Sequence, residues 1–310
     1  MTPPRIRLTL QLCTFNRAHL LARVLDACFE QSFDSAAYEI VLVDDGSTDD
    51  TAAVIERARV RASCAFVTIR QANAGLARGR NAGIARARGE RIVFIDDDIL
   101  PVPSFLAEHW RSHERAPRAI VRGAVVNTQS FARLPPPYYT LANYSGNFFW
   151  TSNVSVPLAT LREAGAFTES FREYGWEDIE LGLRLRAAGV RAVFNPRALV
   201  FHHKPPPRLC GVPGMLAQAR AQARTAAGLE RLHPRSWRVA LAIGSDPVRL
   251  ALRRLRGAGG AARYEPPEGA DRALTPGELR RARAAARDAY GRELLRARRD
   301  SGAASAPPDP

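Results

Sequence analysis

Cysteine is scarce in this chain of 310 residues, which contains only Cys13, Cys28, Cys64 and Cys210. The four lie far apart, and no Cys-x-x-Cys pair occurs among them. A disulfide-rich fold is therefore excluded, and the wide spacing is typical of a protein from a reducing compartment.

Long apolar runs are missing too. No stretch approaches the roughly eighteen uninterrupted apolar residues of a membrane-spanning helix, so a transmembrane segment is not expected. Residues 1–7 hold no long apolar run ahead of a cleavage site, which argues against a signal peptide. We therefore expect a cytoplasmic protein that is soluble or attached to a surface.

Lysine is almost absent, because Lys204 is the only one. The net charge of +14 thus comes from arginine, and from Arg208 onward there are 20 Arg against 10 Asp or Glu. This basic third allows three interpretations: a solvated helical cap, a surface for anionic lipid headgroups, or a surface for nucleic acid. Few aromatic residues are interleaved there and no nucleic-acid motif is recognisable, so nucleic acid is the least favoured partner.

Apolar strands alternate with helical periodicity over the first hundred residues. Strands are predicted at about 6–12, 40–43, 65–69 and 92–95, and helices at 17–31, 51–61 and after residue 73. Asn16 is predicted to be the N-cap of the first helix. This alternation predicts an α/β fold with a doubly wound, mainly parallel sheet.

The pattern is less regular after residue 119. We predict a strand at 120–126, a long loop at 127–146, a return to the sheet at 148–156, a short helix opened by Pro157, a helix at 176–189, and short strands at 190–194 and 198–201.

A run of three prolines at 205–207 is predicted to be a domain boundary. Residues 1–207 would form the catalytic domain and 208–300 a basic helical extension, with helices at about 214–232, 246–256 and 276–299. The tail 301–310 contains only small residues, Pro and Asp, and is predicted to be disordered.

Three adjacent carboxylates, those of Asp96, Asp97 and Asp98, directly follow the apolar strand at 92–95. Adjacent acids repel one another, and a divalent cation removes that conflict, because Mg²⁺ and Mn²⁺ prefer carboxylate oxygens. The carboxyl ends of strands are also where open α/β sheets bind ligands. An acidic triplet alone is more often a solvated turn, so the neighbouring motifs decide between the two.

Four motifs follow one another along the chain: Asp44-Asp-Gly-Ser-Thr-Asp after a strand, Asn73-x-Gly with Arg80-Asn81, the acidic triplet, and Trp176-Glu-Asp178 followed by Leu-x-Leu-Arg-x-x-x-Ala-Gly. In this order and spacing, the chain resembles the inverting family-2 glycosyltransferases of GT-A fold over about residues 5–204. Residues 146–203 are also similar to the C-terminal half of galactosyltransferase-type catalytic domains.

The resemblance implies a nucleotide-sugar donor, with a UDP-sugar as the first expectation. A metal that bridges the diphosphate would act as a Lewis acid on the leaving group. In the family, an acid after the second strand bonds the nucleobase, and the turn after the first strand helps to hold it. The residues so assigned to the donor are Cys13, Thr14, Phe15, Arg17, Asp45, Asn73, Gly75, Arg80, Asp96 and Asp97.

Metal binding is assigned by the same resemblance to Asp98, with Asp96 or Asp97 reaching the ribose. A His at the end of a late strand completes the metal site in related domains, and His202 matches that position better than His203. A nitrogen ligand would favour Mn²⁺ over Mg²⁺.

An inverting transfer needs a carboxylate that takes the proton from the acceptor hydroxyl, and the resemblance places this base at Asp178. The alternative is that Glu177 and Asp178 only complement a helix N-terminus. Trp176 would either stack on an acceptor sugar or fill the core, and Glu177 is also assigned to the acceptor.

The predicted protein is a metal-dependent, inverting glycosyltransferase that adds single sugars to a surface polysaccharide, a lipid-linked glycan or a similar glycoconjugate. The Gln-x-x-Arg-Trp motif of processive synthases is absent. One alternative is a nucleotidyltransferase, but the turn at 13–17 lacks the expected glycines. The other is a non-catalytic protein that binds anionic ligands, or the inner face of the plasma membrane, through the basic third.

Overall fold

The computed structural model describes residues 5–140, 147–244 and 271–303. The chain divides into two compact units. The first comprises Met1–Arg172 and Glu177–Pro205, and the second comprises Glu173–Trp176 and Pro206–Pro310. The division at Pro205 lies close to the expected domain boundary at 207.

One mixed sheet forms the centre of the first unit. Its strands are β1 (Leu8–Thr14), β2 (Tyr38–Asp44), β3 (Ala65–Arg70), β4 (Arg91–Phe94), β5 (Ile99–Pro101), β6 (Ile120–Thr128), β7 (Val154–Pro157) and β8 (Ala192–His203). Their order across the sheet is β3-β2-β1-β4-β7-β6-β8-β5.

Most neighbouring strands in this sheet run parallel. The exceptions are β7, which is antiparallel to both β4 and β6, and β5, which is antiparallel to β8. The predicted α/β architecture is confirmed. Every residue of β1 and β2 is buried, as expected for central parallel strands covered on both faces.

Helices connect the strands and continue into the second unit. They are α1 (Ala18–Phe29), α2 (Thr51–Arg61), α3 (Leu76–Arg86), α4 (Phe105–Arg115), α5 (Leu158–Glu163), α6 (Glu177–Ala187), α7 (Val212–Leu232), α8 (Trp237–Ile243) and α9 (Pro276–Ala303). The helix predicted at 51–61 has the predicted bounds.

Asn16 is not the N-cap of α1, so that prediction was wrong. The helix begins after Arg17 without a side-chain cap. Asn16 instead has a left-handed backbone (φ 53°), and its Oδ1 accepts the Thr48 N–H at 2.8 Å. Its side chain therefore links the turn after β1 to the turn after β2.

The last strand of the sheet differs from the sequence prediction. The two short strands expected at 190–194 and 198–201 are one strand, β8, with a break in its pairing. Opposite Gly123 and Ala124 of β6, the partner moves from Asn195 to Leu199. Pro196 lies in this break, and it has no N–H for the ladder. The return predicted at 148–156 is also shorter, because only Val154–Pro157 is a strand.

Helix α4 was not predicted, because its buried face is largely polar. Glu108, His109, Ser112 and His113 are all buried there, so few residues on this face are apolar. The helix predicted at 246–256, residues 141–146 of the predicted loop and residues 304–310 of the tail lie outside the described residues. Helix α9 extends to Ala303, into the segment predicted to be disordered.

In the second unit, α7 carries contacts to both α9 and the segment 173–176. Arg224 pairs with Glu173 and Glu293, each at 2.8 Å, and the Trp176 indole N–H donates to the Gln222 carbonyl at 2.8 Å. Within the part of the chain that the structure describes, no helix is both long and apolar enough to cross a membrane.

Candidate active site

The predicted site residues converge on the carboxyl edge of the sheet. Strands β1, β2 and β4 are parallel neighbours, so their ends lie side by side. Thr14 closes β1, Asp45 follows β2, and the acidic triplet follows β4. At the other end of the sheet, Ile99 of β5 pairs with His202 of β8, which brings that histidine next to the triplet.

Asp98 faces His202. The Nε2 atom of His202 lies 3.3 Å from Asp98 Oδ1, and both side chains are largely buried. Burial opposes ionisation of Asp98, but the hydrogen bond and charge of His202, with Lys204 and Arg17, hold its pKa below the usual value. His203 is less suitable as a ligand, because its ring packs on Phe131, with 5.4 Å between the ring centres.

These two side chains are compatible with a divalent cation that receives its other ligands from substrate and water. Among the described residues, no group of three or more His, Cys, Asp or Glu side chains is arranged to hold a metal. Mg²⁺-like ions are commonly held by one or two carboxylates and the phosphates of a nucleotide. A metal at Asp98 and His202 would therefore take most of its other ligands from the donor.

Asp96 and Asp97 are held by different partners. Asp96 accepts Arg80 Nη2 at 3.1 Å and the Ser152 hydroxyl at 2.7 Å, one on each oxygen. Asp97 Oδ2 accepts the Thr14 hydroxyl at 2.8 Å. Burial raises the pKa of Asp97 to about 7, against the opposing charge of Arg17. Three adjacent acids thus occupy three distinct environments.

Asp45 builds the loop that precedes α3. Its Oδ1 accepts Gln71 Nε2 at 2.7 Å and the Ala74 N–H at 3.0 Å, and its Oδ2 accepts the Gly75 N–H at 2.9 Å. A carboxylate has about four acceptor positions, so one position remains on Oδ2 for the predicted contact with a base.

The turn after β1 divides into a buried and an exposed part. The thiol of Cys13 accepts Gln11 Nε2 at 3.3 Å, and burial raises its pKa to about 12. A contact between Cys13 and a base would therefore come from the backbone. Phe15 is 45% exposed, and its ring is available to a ligand. Asn73 is also exposed.

Arg80 is buried and is already paired with two acids. Its Nη1 lies 2.7 Å from Glu177 Oε1 and its Nη2 lies 3.1 Å from Asp96 Oδ1. Burial opposes its charge, but these carboxylates raise the pKa of Arg80 above its usual range. A phosphate oxygen of the donor, to which the sequence analysis assigns Arg80, would have to displace one of them.

Asp178 lies in the first turn of α6, after Glu177. Burial and the charge of Glu177 raise the pKa of Asp178 to about 7, and Arg80 acts in the opposite direction. Its Oδ1 accepts the Ile179 N–H at 2.7 Å. A carboxylate with this pKa is partly ionised near neutral pH, as a general base requires.

Trp176 precedes these acids in the chain but belongs to the second unit. Its backbone is left-handed (φ 76°). Since its indole N–H is bonded to Gln222, the polar end of the ring is already satisfied.

Sequence reasoning missed the polar segment 151–155. Ser152 orients Asp96, and Asn153 Oδ1 accepts a hydrogen bond from His109 Nε2–H at 3.0 Å. Ser155 lies 2.7 Å from His109 Nδ1 and 2.8 Å from His113 Nε2. The polar run Thr-Ser-Asn before a strand could have indicated this segment. The residues that it contacts, however, lie far away in sequence.

Comparison with known proteins identifies the family. The family model for glycosyl transferase family 2 matches residues 10–163. Validoxylamine A glucosyltransferase of Streptomyces hygroscopicus subsp. jinggangensis is 29% identical over 219 residues, covering 59% of this chain and 52% of that protein. Chondroitin synthase of Pasteurella multocida is 25% identical over 242 residues, covering 65% and 25%. The chain spans about half the length of the glucosyltransferase, 52%.

Solved structures show the same fold. The mannosyltransferase PcManGT of Pyrobaculum calidifontis, in complex with GDP-Man and Mn²⁺, has a TM-score of 0.57 at 22% identity, over 97% of this chain and 80% of that one. Residues 1–349 of TarS from S. aureus, in complex with UDP, have a TM-score of 0.55 at 18% identity, over 95% and 92%. The galactosyltransferase-type similarity of residues 146–203 stays a prediction. Residues 10–163, which carry the acidic edge described above, therefore form a glycosyltransferase family 2 domain.

Proposed function

We propose that this protein is a metal-dependent, inverting glycosyltransferase that moves one sugar from a nucleotide donor to a hydroxyl of a glycan or lipid-linked glycan. The observation that carries the proposal is Asp178, a carboxylate with its pKa raised to about 7. Its neighbour Glu177 is joined through Arg80 to Asp96 at the donor edge. A candidate base is therefore connected to a candidate donor site.

The donor would lie along the carboxyl edge of the sheet. Phe15 and the free acceptor position of Asp45 would contact the base, with Cys13, Thr14, Arg17, Asn73 and Gly75 around the nucleotide. Asp98 and His202 would hold the divalent cation, which when bound stabilises negative charge on the diphosphate. Asp97, whose pKa of about 7 leaves it partly protonated, could donate to or accept from a ribose hydroxyl.

Asp178 would take the acceptor proton. As the acceptor oxygen bonds to the anomeric carbon from the side opposite the diphosphate, its proton moves to the Asp178 carboxylate and the bond to the diphosphate breaks. Glu177 Oε2 is buried without a hydrogen-bond partner among the described residues, so a sugar hydroxyl could donate to it. Trp176 could add a stacking contact through its ring face.

The donor base is proposed to be uracil, and the comparisons leave guanine as a second candidate. One structural neighbour holds UDP and another GDP-Man with Mn²⁺. The acceptor is proposed to be a carbohydrate polymer or its precursor, since relatives of this chain are named chondroitin synthase and poly(ribitol-phosphate) β-N-acetylglucosaminyltransferase.

The basic second unit is proposed to act on the cytoplasmic side, with peripheral contact to an anionic membrane as a separate hypothesis. Several of its arginines are paired with acids, such as Arg208 with Asp271 at 2.7 Å and Arg272 with Glu278. Binding to vesicles with and without phosphatidylserine tests the membrane contact independently of catalysis, because the vesicles carry no acceptor.

The test is donor binding and turnover by the full chain with UDP-, GDP- and dTDP-sugars, in Mn²⁺, Mg²⁺ or EDTA. We expect one donor to bind only with metal. Asp178→Asn should retain that binding but lose turnover by about 10²-fold or more, the usual contribution of a general base. Exposed Asp50→Asn is the matched control. Equal turnover by Asp178→Asn, or no binding of any nucleotide sugar, would refute the proposal.

A further inference from the structure

Arg80 links two parts of the proposed site, Asp96 and Glu177, of which Glu177 lies 97 positions from Arg80 in sequence. It lies in α3, and its side chain is 5% exposed. One terminal nitrogen contacts Asp96 at the end of β4, and the other contacts Glu177 at the start of α6. The guanidinium also lies 5.4 Å from the centre of the Phe167 ring. The guanidinium is therefore buried and contacts protein groups on both nitrogens and on its ring-facing side.

The helix that carries Arg80 approaches the sheet closely through glycine. A Cβ on Gly79 would lie 3.1 Å from the Cys13 sulfur, and one on Gly83 would lie 2.6 Å from Gln11 Nε2. With larger residues at these positions, α3 would move away from β1 and Arg80 would move with it. The position of the guanidinium is thus determined by helix packing rather than by a flexible loop.

The partners of Arg80 are themselves constrained. The second oxygen of Asp96 accepts the Ser152 hydroxyl at 2.7 Å, so both oxygens of Asp96 have fixed donors. Glu177 is buried, and its Oε1 accepts Arg80 Nη1 at 2.7 Å, whereas its Oε2 has no hydrogen-bond partner among the described residues. Loss of Arg80 would leave Glu177 buried and unpaired, which is strongly unfavourable.

We propose that Arg80 is a positioning residue, which holds the turn bearing Asp178 against the donor-side carboxylate Asp96, rather than a ligand of the donor phosphates. This inference rests on the proposed function, since it concerns the same base. It explains why an arginine is used, because the planar guanidinium presents two separate terminal nitrogens, one to each carboxylate.

The charges around Asp178 make the proposal testable through pH. They come from Glu177 on its own helix, Arg80 on α3 and Asp96 after β4. Glu177 and Asp96 raise the pKa of Asp178, whereas Arg80 lowers it. Removal of the Arg80 charge should therefore move the acid limb of the rate profile to higher pH, and removal of the Glu177 charge should move it to lower pH.

The experiment compares Arg80→Met, Arg80→Lys and Glu177→Gln in the full chain. We expect acid-limb shifts of about one pH unit, upward for Arg80→Met and downward for Glu177→Gln. Arg80→Lys should keep the limb near its wild-type pH but lower kcat roughly 10- to 100-fold, because the single nitrogen of an ammonium cannot reproduce the two separated contacts of the guanidinium. Donor affinity, measured by calorimetry, should stay near the wild-type value in all three.

The matched control is Arg78→Met. Arg78 lies on the same helix, but its side chain is 46% exposed and pairs with the exposed Glu169 at 3.2 Å, so its loss should change neither kcat nor the pH profile. If circular dichroism shows that Arg80→Met does not fold, two measurements still decide the question. They are the downward shift of the acid limb in Glu177→Gln and the loss of kcat in Arg80→Lys.

Two results would overturn the proposal. A loss of donor affinity in Arg80→Lys with an unchanged kcat would make Arg80 a phosphate ligand. If the acid limb moves in the same direction in Arg80→Met and Glu177→Gln, or moves in neither, the proposed charge coupling to Asp178 is wrong. If the wild-type chain transfers no sugar, the proposed function fails instead. The carboxyl titration of Asp178, followed by NMR in wild type and Glu177→Gln, then decides the coupling by itself.

Discussion

Asp96, Asp97 and Asp98 are chemically identical side chains in consecutive positions, yet their surroundings differ completely. Asp96 is bonded by Arg80 and Ser152, Asp97 by Thr14, and Asp98 lies beside His202. The difference arises because three separate elements reach the end of β4. Only Asp98 has a partner that a transition metal also prefers, so it is the position at which a substitution distinguishes metal binding from other roles.

Replacement of Asp98 by Asn should weaken metal-dependent binding of the donor nucleotide. The amide is a weaker, uncharged ligand for a hard cation, and it removes the charge beside His202. Calorimetric titration of UDP and GDP in Mn²⁺ should show a loss of roughly tenfold or more in affinity, the scale on which changes at metal sites are felt.

Asp50→Asn is again the control for that measurement. Asp50 is exposed and makes no side-chain cap bond, so nucleotide affinity should not change. Wild-type affinity in Asp98→Asn, with the metal requirement retained, would contradict the assignment of Asp98 as a ligand.

At the scale of elements, the loop at 71–75 is assembled by one buried carboxylate and one glycine. Asp45 accepts three donors from this loop. Gly75 has φ +87°, and a Cβ there would lie 2.5 Å from the Arg172 carbonyl oxygen. The loop leads into α3, which carries Arg80. Its conformation therefore affects both the donor edge and the ion pairs of Arg80.

Gly75→Ala should destabilise the protein and weaken donor binding together. The left-handed backbone and the close carbonyl each oppose a side chain, for a combined cost of roughly 1–3 kcal/mol. Urea unfolding gives the change in free energy, and nucleotide titration gives the change in affinity.

Gly214→Ala is the comparison for that variant. Gly214 lies within α7 and has no atom within 4 Å of an added Cβ, so Ala should be neutral or stabilising by up to about 1 kcal/mol. Equal stability of Gly75→Ala and wild type would show that the loop can adopt another conformation without loss.

The same scale explains why α4 escaped detection. His109 and His113 face β7 and meet Ser155, while Asn153 bonds the carbonyls of Ala124 and Ala198 at 2.9 and 2.8 Å. Polar side chains thus fill much of the buried face of α4, so apolar residues alone do not mark this helix in the sequence. Its packing requires that both histidines stay neutral.

For the whole molecule, these histidines connect stability to pH. Burial lowers the pKa of His109 to about 4 and that of His113 to about 3, from 6.5. The unfolded chain therefore takes up protons first, and the stabilisation is present above pH 6.5 and lost as the pH falls towards 3. Asp97 and Asp178 have pKa values raised to about 7, so their protonation stabilises the folded protein as the pH falls from 7 to 4. The pH dependence of wild-type stability is therefore the difference between the histidine effect and this carboxyl effect.

His113→Phe should reveal the histidine contribution. When the pH is lowered from 7 to 5, the free energy of unfolding of wild type should fall by about 2 kcal/mol more than that of the variant. This value follows because pH 5 lies about 1.5 units below the pKa of an unfolded histidine. Urea unfolding at both pH values measures this. His19→Asn is the control, because His19 is exposed. The same pH dependence in His113→Phe and wild type would show that His113 is already charged in the folded protein.

The sequence predicted the α/β framework and the location of the acidic edge, because both depend on local signals. Apolar runs mark β1 to β4, and the acids follow them directly. It also indicated His202 over His203 as the partner of Asp98, a contact that the structure contains, although the metal role stays a prediction. The apolar runs predict the strands correctly because each strand buries the apolar side chains by which it was recognised.

Long-range contacts could not be predicted in the same way. The pairs of Arg80 depend on the position of α6 relative to α3, and the acceptor role of Asp45 within the loop depends on how residues 71–75 return to β2. Asn16 was expected to cap its own helix but bonds the next βα turn. In each case a polar side chain had several local partners available, and the distant one was selected by tertiary packing.

The amino-acid sequence alone therefore determined the family, the order of the first strands and helices, and the edge at which the acids gather. Only the tertiary structure decided which acids share Arg80, and that the carboxyls of Asp97 and Asp178 acquire pKa values near 7. The physical reason is that periodicity and motif order are properties of neighbouring residues, whereas desolvation and charge pairing arise where distant segments pack together.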